Sequence, residues 1–240
     1  MKAGTASQRA KAAEHQFAAG VATMPNFSSA VSAQRFESRN SLDDFPTPTW
    51  GARAWAEHVV GPDAIRGLTC WEPAANRGYL LRGLAEYFLT VAGSDIADYG
   101  AGFPLHDFLS PDNGLFSGRM PIGFAPDWCA TNPPFNQLLE FTLRGLEVAR
   151  VGVAIFCRLQ ALEGVERHKR IFSAYADRYC FSQFAERISL VRGCVDPKAG
   201  RPAAYSWLTI WKERQDADFL LARRHIPPCR KRLERPGDYD

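Results

Sequence analysis

The 240-residue sequence predicts an α/β fold: a mostly parallel sheet with helices on both faces and a terminal antiparallel hairpin. Three observations carry this. Short apolar runs alternate with stretches of helical spacing from Leu42 to Lys212, the signature of strand–helix–strand units. The early runs stop at polar residues, Glu72, Asp95 and Asn132. The last two runs are joined by a loop without a helix, as reversing strands are.

The elements follow in order. Phe45-Pro46-Thr47-Pro48-Thr49-Trp50 is expected to be extended, because each proline biases the residue before it away from helix. Helical spacing then runs through Trp55, Val59 and Val60. Leu68 to Trp71 is the first strand, ending at Glu72-Pro73 and a turn of small residues, Ala74-Ala75-Asn76-Arg77-Gly78. Leu80, Leu81, Leu84, Tyr87 and Phe88 recur at helical spacing. Leu89 to Ala92 is the second strand, ending at Ser94-Asp95. The Gly-rich stretch Tyr99 to Phe103 leads to His106-Asp107-Phe108-Leu109, with Asp107 where a third strand would end. Trp128 to Thr131 is a strand that stops at Asn132-Pro133-Pro134-Phe135. A helix over Leu138 to Val148, a strand over Val151 to Phe156 and a helix over Val165 to Tyr175 come next. Ile188 to Val191 and Tyr205 to Trp211 are the hairpin strands, around a loop from Gly193 to Pro202.

The flanks differ in texture. Residues 1–41 are rich in Ala and Ser and read as a loosely ordered arm. Residues 42–212 are the α/β domain, and 213–240 a basic C-terminal tail with Arg223, Arg224, Arg230, Lys231 and Arg232. Such a charge run is either a solvated face or a contact to phosphates. The net charge of +3 fits a nucleic-acid partner without arguing for one. Hydrophobic residues at 46% and charged residues at 23% exclude collagen, coiled coil and wholesale disorder. No apolar run approaches the ~20 residues of a membrane span, and no secretory signal is visible, so a cytoplasmic protein is expected. The six cysteines form no Cys-x-x-Cys pair and the five histidines no paired spacing. Reduced thiols and no metal site are therefore expected.

The polar signals converge on one rim. In open α/β sheets ligands bind outside the carboxyl ends of the strands. Glu72, Asp95, Asp107 and Asn132 all fall there. Small residues after the first strand let a ligand approach the backbone. An acid ending the second strand is placed to accept from a ribose diol, so a bound adenosine is expected. Taken singly, Asp95 and Asp107 could equally be helix caps or turn residues. Asn132-Pro133-Pro134-Phe135 is the sharpest signal. Two prolines fix the backbone and remove two donors, leaving carbonyls to accept. With the Asn oxygen and a flat Phe face, the set suits a planar heterocycle bearing an exocyclic amine.

Asn132 to Phe135 resembles the catalytic motif of S-adenosylmethionine-dependent amino-methyltransferases. The wider pattern resembles the N6-adenine DNA methyltransferases of phages and prophages. It includes Phe45-x-Thr47-Pro48, Glu72-Pro73-Ala74-Ala75-x-x-Gly78, Ser94-Asp95, Asp107-Phe108-Leu109, Phe184-Ala185-Glu186-Arg187 and Tyr205-x-Trp207 with Trp211. The resemblance implies a Rossmann-like class I methyltransferase fold, with S-adenosylmethionine as cofactor and S-adenosylhomocysteine as product. It implies that Thr47 and the Glu72, Pro73, Ala74, Asn76 and Gly78 turn hold the methionine part. Asp95 would take the ribose, and Asp107 and Phe108 the cofactor adenine. Asn132, Pro133, Pro134 and Phe135 would hold the target base, flipped or unpaired, with DNA as partner and no metal or membrane.

One departure stands out: Asn76 replaces the first glycine of the family's Glu-Pro-x-x-Gly-x-Gly turn. Asn tolerates a positive φ best after Gly, so Asn76→Gly is expected to keep or tighten cofactor binding. Direct methyl transfer needs no thiolate, so Pro228-Cys229 is not read as a nucleophile. Arg158, after the fifth strand, is either a surface residue or a phosphate contact. An RNA adenine methyltransferase, a glutamine-amide methyltransferase and an inactive nucleic-acid-binding protein on this fold are the alternatives. With no room for a large recognition domain, a short or relaxed sequence context is expected.

Overall fold

The computed structural model describes residues 43–110, 125–200 and 203–239. The arm over residues 1–41 lies outside them, as does part of the hairpin loop. Pro46 and Pro48 hold the chain extended, and α1 (Thr49–Trp55) starts directly behind them. It continues as a π-helical stretch, Ala56–Val60, until Gly61 at φ 90°. The short α2 (Pro62–Ile65) leads into β1 (Thr69–Glu72), α3 (Tyr79–Leu84) and β2 (Thr90–Gly93). After them come β3 (Trp128–Thr131), α4 (Leu138–Val148) and β4 (Gly152–Arg158). Next are α5 (Val165–Arg167), which runs on as a π-helical turn, β5 (Tyr179–Phe184) and β6 (Tyr205–Trp211). The chain closes with α6 (Ala217–Ala222), β7 (His225–Ile226) and α7 (Arg230–Leu233).

The described strands form one seven-stranded sheet in the order β2-β1-β3-β4-β6-β5-β7. β2, β1, β3 and β4 are parallel, whereas β6 runs antiparallel to both β4 and β5. This is a Rossmann-like α/β sheet. β2 lies on one side of β1 and β3 on the other, so the strand order switches at β1, where such sheets open a crevice.

Two strand assignments differ from the sequence reading. The expected third strand is a single parallel bridge between Asp95 and Leu105. Gly100 and Gly102, both at positive φ, and Pro104 precede it and prevent a longer ladder. The hairpin partner of β6 is Tyr179–Phe184, not Ile188–Val191. Burial alternates along β5, the pattern of a strand with one face on the core and the other partly exposed. Ile188 and Leu190 are buried without joining the sheet, and Val191 makes only an isolated bridge to Cys194.

Apolar clusters sit on both faces. On one, Trp55 packs against Phe88, Trp128 and Trp207, and its Nε1 donates to Thr209 Oγ1 at 3.0 Å. Trp207 Nε1 donates to the Gly51 carbonyl at 3.0 Å, so α1 is pinned to the sheet by two indole bonds. α3 crosses α1 at Gly83, where a Cβ would meet the Thr49 carbonyl at 2.5 Å. On the other face Phe141, Leu146 and Ile171 cover Val153, Ile155, Leu208 and Ile210.

The segment read as a basic tail is woven into this fold. β7 adds to the edge of β5, and Glu186 Oε2 accepts from the Cys229 and Arg230 amides at 2.7 and 2.8 Å, capping α7. Buried Arg53 donates to Glu86, to the Leu233 carbonyl and to both oxygens of buried Asp238. Deleting the residues after Ala222 leaves that guanidinium half-partnered. Breaking a buried pair costs about 3–5 kcal/mol, and at about 2–4 °C per kcal/mol the melting temperature should fall by ~10 °C. A truncated protein that melts with the full chain would refute this. The segment is thus part of the packed fold and not a free run of surface cations.

Candidate active site

A cavity of about 330 Å³ opens at the carboxyl ends of β1, β2 and β3. Thr47, Glu72, Pro73, Ala74, Asn76, Asp95, Asp107, Phe108, Asn132 and Pro134 line it. Residues spread over 88 positions of sequence thus meet at one place because the strands that carry them are neighbours. Gly78, Pro133 and Phe135, also expected at the site, do not line the cavity.

The floor is the turn after β1. Asn76 adopts φ 51° and Gly78 φ 80°. A Cβ on Gly78 would meet the Phe103 ring at 3.0 Å, so this position needs glycine for both conformation and space. Asn76 forms the left-handed turn, as its residue type allows. It also does more than fill a glycine's place. Its Nδ2 donates to Asp44 Oδ1 at 2.8 Å, and its Oδ1 accepts from the Arg77 amide at 2.7 Å. Arg77 pairs with the same Asp44 at 2.7 Å. Burial would raise the Asp44 pKa, but the Arg77 guanidinium and the Asn76 amide outweigh it and hold it low. Asn76→Gly should therefore weaken cofactor binding several-fold, opposite to the expectation from φ alone; calorimetry showing equal or tighter binding would overturn this.

Two acids stand over the turn. Glu72 is 1% exposed, its Oε2 has no hydrogen-bond partner among the described residues, and burial, with Asp95 nearby, raises its pKa well above the carboxylate range. Asp95 accepts from the Asn76 amide at 2.8 Å and the Ala97 amide at 3.0 Å. Burial still lifts its pKa despite these bonds. Asp107 is exposed and accepts from the Leu109 amide at 3.0 Å, a turn bond. Phe108 is buried edge-on to Trp71, with ring centroids 5.1 Å apart.

The Asn-Pro-Pro-Phe segment forms the other wall. Asn132 Nδ2 donates to the Phe45 carbonyl at 2.9 Å. That bond turns Oδ1 away from Phe45, buried and without a partner among the described residues. Thr47 Oγ1 is orphaned in the same way. Not every proline carbonyl is left to accept, however: Pro134 takes the Gln137 amide at 2.9 Å. One face of Phe135 is covered, with Arg158 Cζ 4.1 Å from the ring centroid. Arg158 Nε is itself buried and unpartnered among the described residues.

The basic residues expected to meet nucleic acid divide. Arg223 donates to the Val59 carbonyl at 2.7 Å and lies over the Phe219 ring. Arg230 pairs with Glu234, and Arg232 with Glu57. Arg224 and Lys231 are exposed. Arg223 and Arg232 thus bind the π-helical stretch that follows α1, and Arg224 directly precedes β7. Arg158, by contrast, ends β4 and lies over Phe135. Cys229 is buried, which pushes its thiol up to about 11.

Sequence reasoning missed several wall residues. Tyr79, Tyr99, His106 and Phe141 line the cavity. Tyr79 directly follows the turn glycine, a position that could have been read. Tyr99 and His106 reach the site only through the irregular chain that replaces the third strand. Asp43 and Asp44, beside Phe45-x-Thr47-Pro48, also went unread.

No protein-family model and no curated protein matches the chain. Among solved structures, it is similar to the M protein of the type I restriction enzyme EcoKI at 13% identity and TM-score 0.49, covering 72% of this chain and 44% of that one. It is similar to the 23S rRNA methyltransferase ErmE at 16% identity and TM-score 0.43, covering 71% of each chain. Similarity to magnesium protoporphyrin IX methyltransferase from Synechocystis PCC 6803, with SAM bound, is 15% at TM-score 0.43, over 69% of this chain and 78% of that one. The chain thus spans less than half the length of the restriction-enzyme subunit.

Proposed function

We propose that this protein transfers a methyl group from S-adenosylmethionine to the exocyclic N6 amine of adenine in DNA. The observation that carries the reading is a set of orphaned acceptors. Thr47 Oγ1, Glu72 Oε2 and Asn132 Oδ1 are buried around one cavity with no hydrogen-bond partner among the described residues. Such atoms cost about 1–3 kcal/mol each unless a ligand satisfies them. Two of them flank the turn after β1 and suit a ligand ammonium. The third, on Asn132, suits an amine on a planar base.

The residues present fit the cofactor. Glu72 and Thr47 would receive its ammonium end, and the Asn76–Gly78 turn allows close approach to the backbone. Asp95 would take ribose hydroxyls in addition to the two amides it already holds, and Phe108 with Tyr99 and His106 would bound its adenine. When bound, S-adenosylmethionine supplies a methyl already activated by its sulfonium. What the chain contributes is orientation. Asn132 Oδ1 accepts from one N6–H, which keeps the amine lone pair aimed into the cavity and favours it as positive charge develops there. Arg158 must leave the Phe135 face if the target base is to stack on it, and its buried Nε then gains access to a phosphate.

The test is incubation with labelled S-adenosylmethionine and, in separate arms, duplex DNA, single-stranded DNA and RNA, followed by nucleoside analysis. Labelled N6-methyladenine from DNA is expected. Label in RNA alone would move the reading to the RNA enzyme, and cofactor binding without label in any arm would defeat it.

A further inference from the structure

Residues 43–45 make three consecutive contacts to three different parts of the site. Asp43, at φ 46°, accepts from the Phe135 amide through Oδ2 at 2.9 Å. Asp44 gathers Asn76 Nδ2 at 2.8 Å and Arg77 at 2.7 Å. The Phe45 carbonyl accepts from Asn132 Nδ2 at 2.9 Å. The segment is held from outside as well, since the Gly193 amide donates to the Asp44 carbonyl at 2.9 Å. A strap of three residues therefore joins the turn under the cofactor to the wall that would hold the target base.

We infer that Asp43 and Asp44 are positioning residues with separate tasks, Asp43 setting the target-base loop and Asp44 setting the cofactor turn. The inference rests on the methyltransferase reading above. Its physical basis is the bond geometry. The Phe135 amide is the first backbone donor after two prolines that have none, so no backbone N–H lies between Asn132 and Phe135 with which to fix the loop. Asp43 supplies that fixing point as a charged acceptor, the stronger kind. It does so two residues before Phe45, whose carbonyl orients Asn132. Loss of the Asp43 carboxylate should let the loop drift without disturbing the turn. Loss of Asp44 should loosen Asn76 and Arg77 without touching the loop. The positive φ at Asp43 is the conformation that lets successive residues reach opposite walls, and an Asp tolerates it better than most side chains.

The test compares Asp43→Ala, Asp43→Asn and Asp44→Ala with the wild-type protein. Cofactor Kd is measured by calorimetry and kcat at saturating cofactor and nucleic acid. Asp43→Ala should lower kcat by about 10- to 100-fold with Kd within about threefold, the range expected for one lost charged hydrogen bond. Asp43→Asn keeps an acceptor oxygen and should recover most of that loss. Asp44→Ala should weaken Kd about tenfold or more and leave saturated kcat within about threefold. Asp43→Ala with wild-type kcat, or both alanine variants moving kcat and Kd together, overturns the division of tasks. A wild-type protein that binds the cofactor but methylates no substrate overturns the functional reading itself, and this inference with it.

Discussion

Asn132→Ala is expected to lower the methyl-transfer rate by about 10²–10³-fold while the cofactor dissociation constant changes little. Removing one oriented acceptor from a water-poor site typically has this effect. The structure sharpens the reason. Asn132 has one bonded end and one idle end: Nδ2 is held by the Phe45 carbonyl at 2.9 Å, and Oδ1 is buried without a partner among the described residues. An Asn serving only the fold would not leave its oxygen so. Asn132→Asp is the informative companion. It keeps an oxygen in the cavity but presents an acceptor to the Phe45 carbonyl, so the orientation is lost while the acceptor remains. Both variants should be slow, with Asp no better than tenfold above Ala. Single-turnover kinetics with cofactor calorimetry checks this. Substantial turnover by Asn132→Ala would remove the motif from the chemistry.

How much of this was legible in the sequence depends on how local the cause is. β3 and α4 fall where apolar runs and helical spacing put them, because alternation of that kind is imposed by burial in the sheet and on its face. The polar strand ends were legible for the same reason: Glu72, Asp95 and Asn132 interrupt apolar runs and must then lie at their ends. The third strand and β5 were not. Around Asp95 and Leu105 the pairing shrinks to one bridge because flanking glycines and a proline deny a ladder, yet the single bridge still delivers Asp107 and Phe108 to the cavity. β5 carries Ser182 and Gln183 within it, so its apolar pattern looks weaker than Ile188–Val191, whose Ile188 and Leu190 are buried outside the sheet. The tail was misread for a different reason. A run of arginines in sequence does not disclose which of them meets Glu57, Glu86 or Glu234, each far away or on the facing side of a helix.

That rearrangement moves the place where nucleic acid would be gripped. The tail cations nearest the fold are committed to carbonyls and carboxylates, whereas Arg158, at the end of β4, lies over Phe135. The exposed Arg192 is close enough to Asp44 to help lower its pKa, which puts a second cation near the strap. Under the proposed function, a grip built from a few such cations would hold backbone phosphates and read few base edges, giving a short or relaxed sequence context.

Glu72→Gln is expected to separate function from stability most cleanly. Burial, with the charge of Asp95 nearby, raises the Glu72 pKa well above its ordinary value. Above the unfolded-state pKa, the unfolded chain holds an ionised Glu72 while the folded protein must keep the proton or bury a charge. The group therefore destabilises the fold increasingly as pH rises through that window, and contributes no such penalty below the unfolded pKa, where both states are protonated. Gln keeps the shape and the acceptor toward the Leu81 amide, and its remaining amide is cheaper to bury than a carboxylate. With an unsatisfied buried group costing about 1–3 kcal/mol, and about 2–4 °C per kcal/mol, the variant should melt some 2–10 °C above wild type at neutral pH. The difference should shrink toward pH 4. Cofactor affinity should move the other way, falling more than tenfold, because the acceptor for the ammonium loses its charge. In the wild type that affinity should rise with pH as Glu72 ionises. Thermal unfolding and calorimetry across pH decide it: a variant no more stable than wild type that also binds the cofactor normally would mean that the Glu72 carboxylate is neither strained by burial nor facing the ligand.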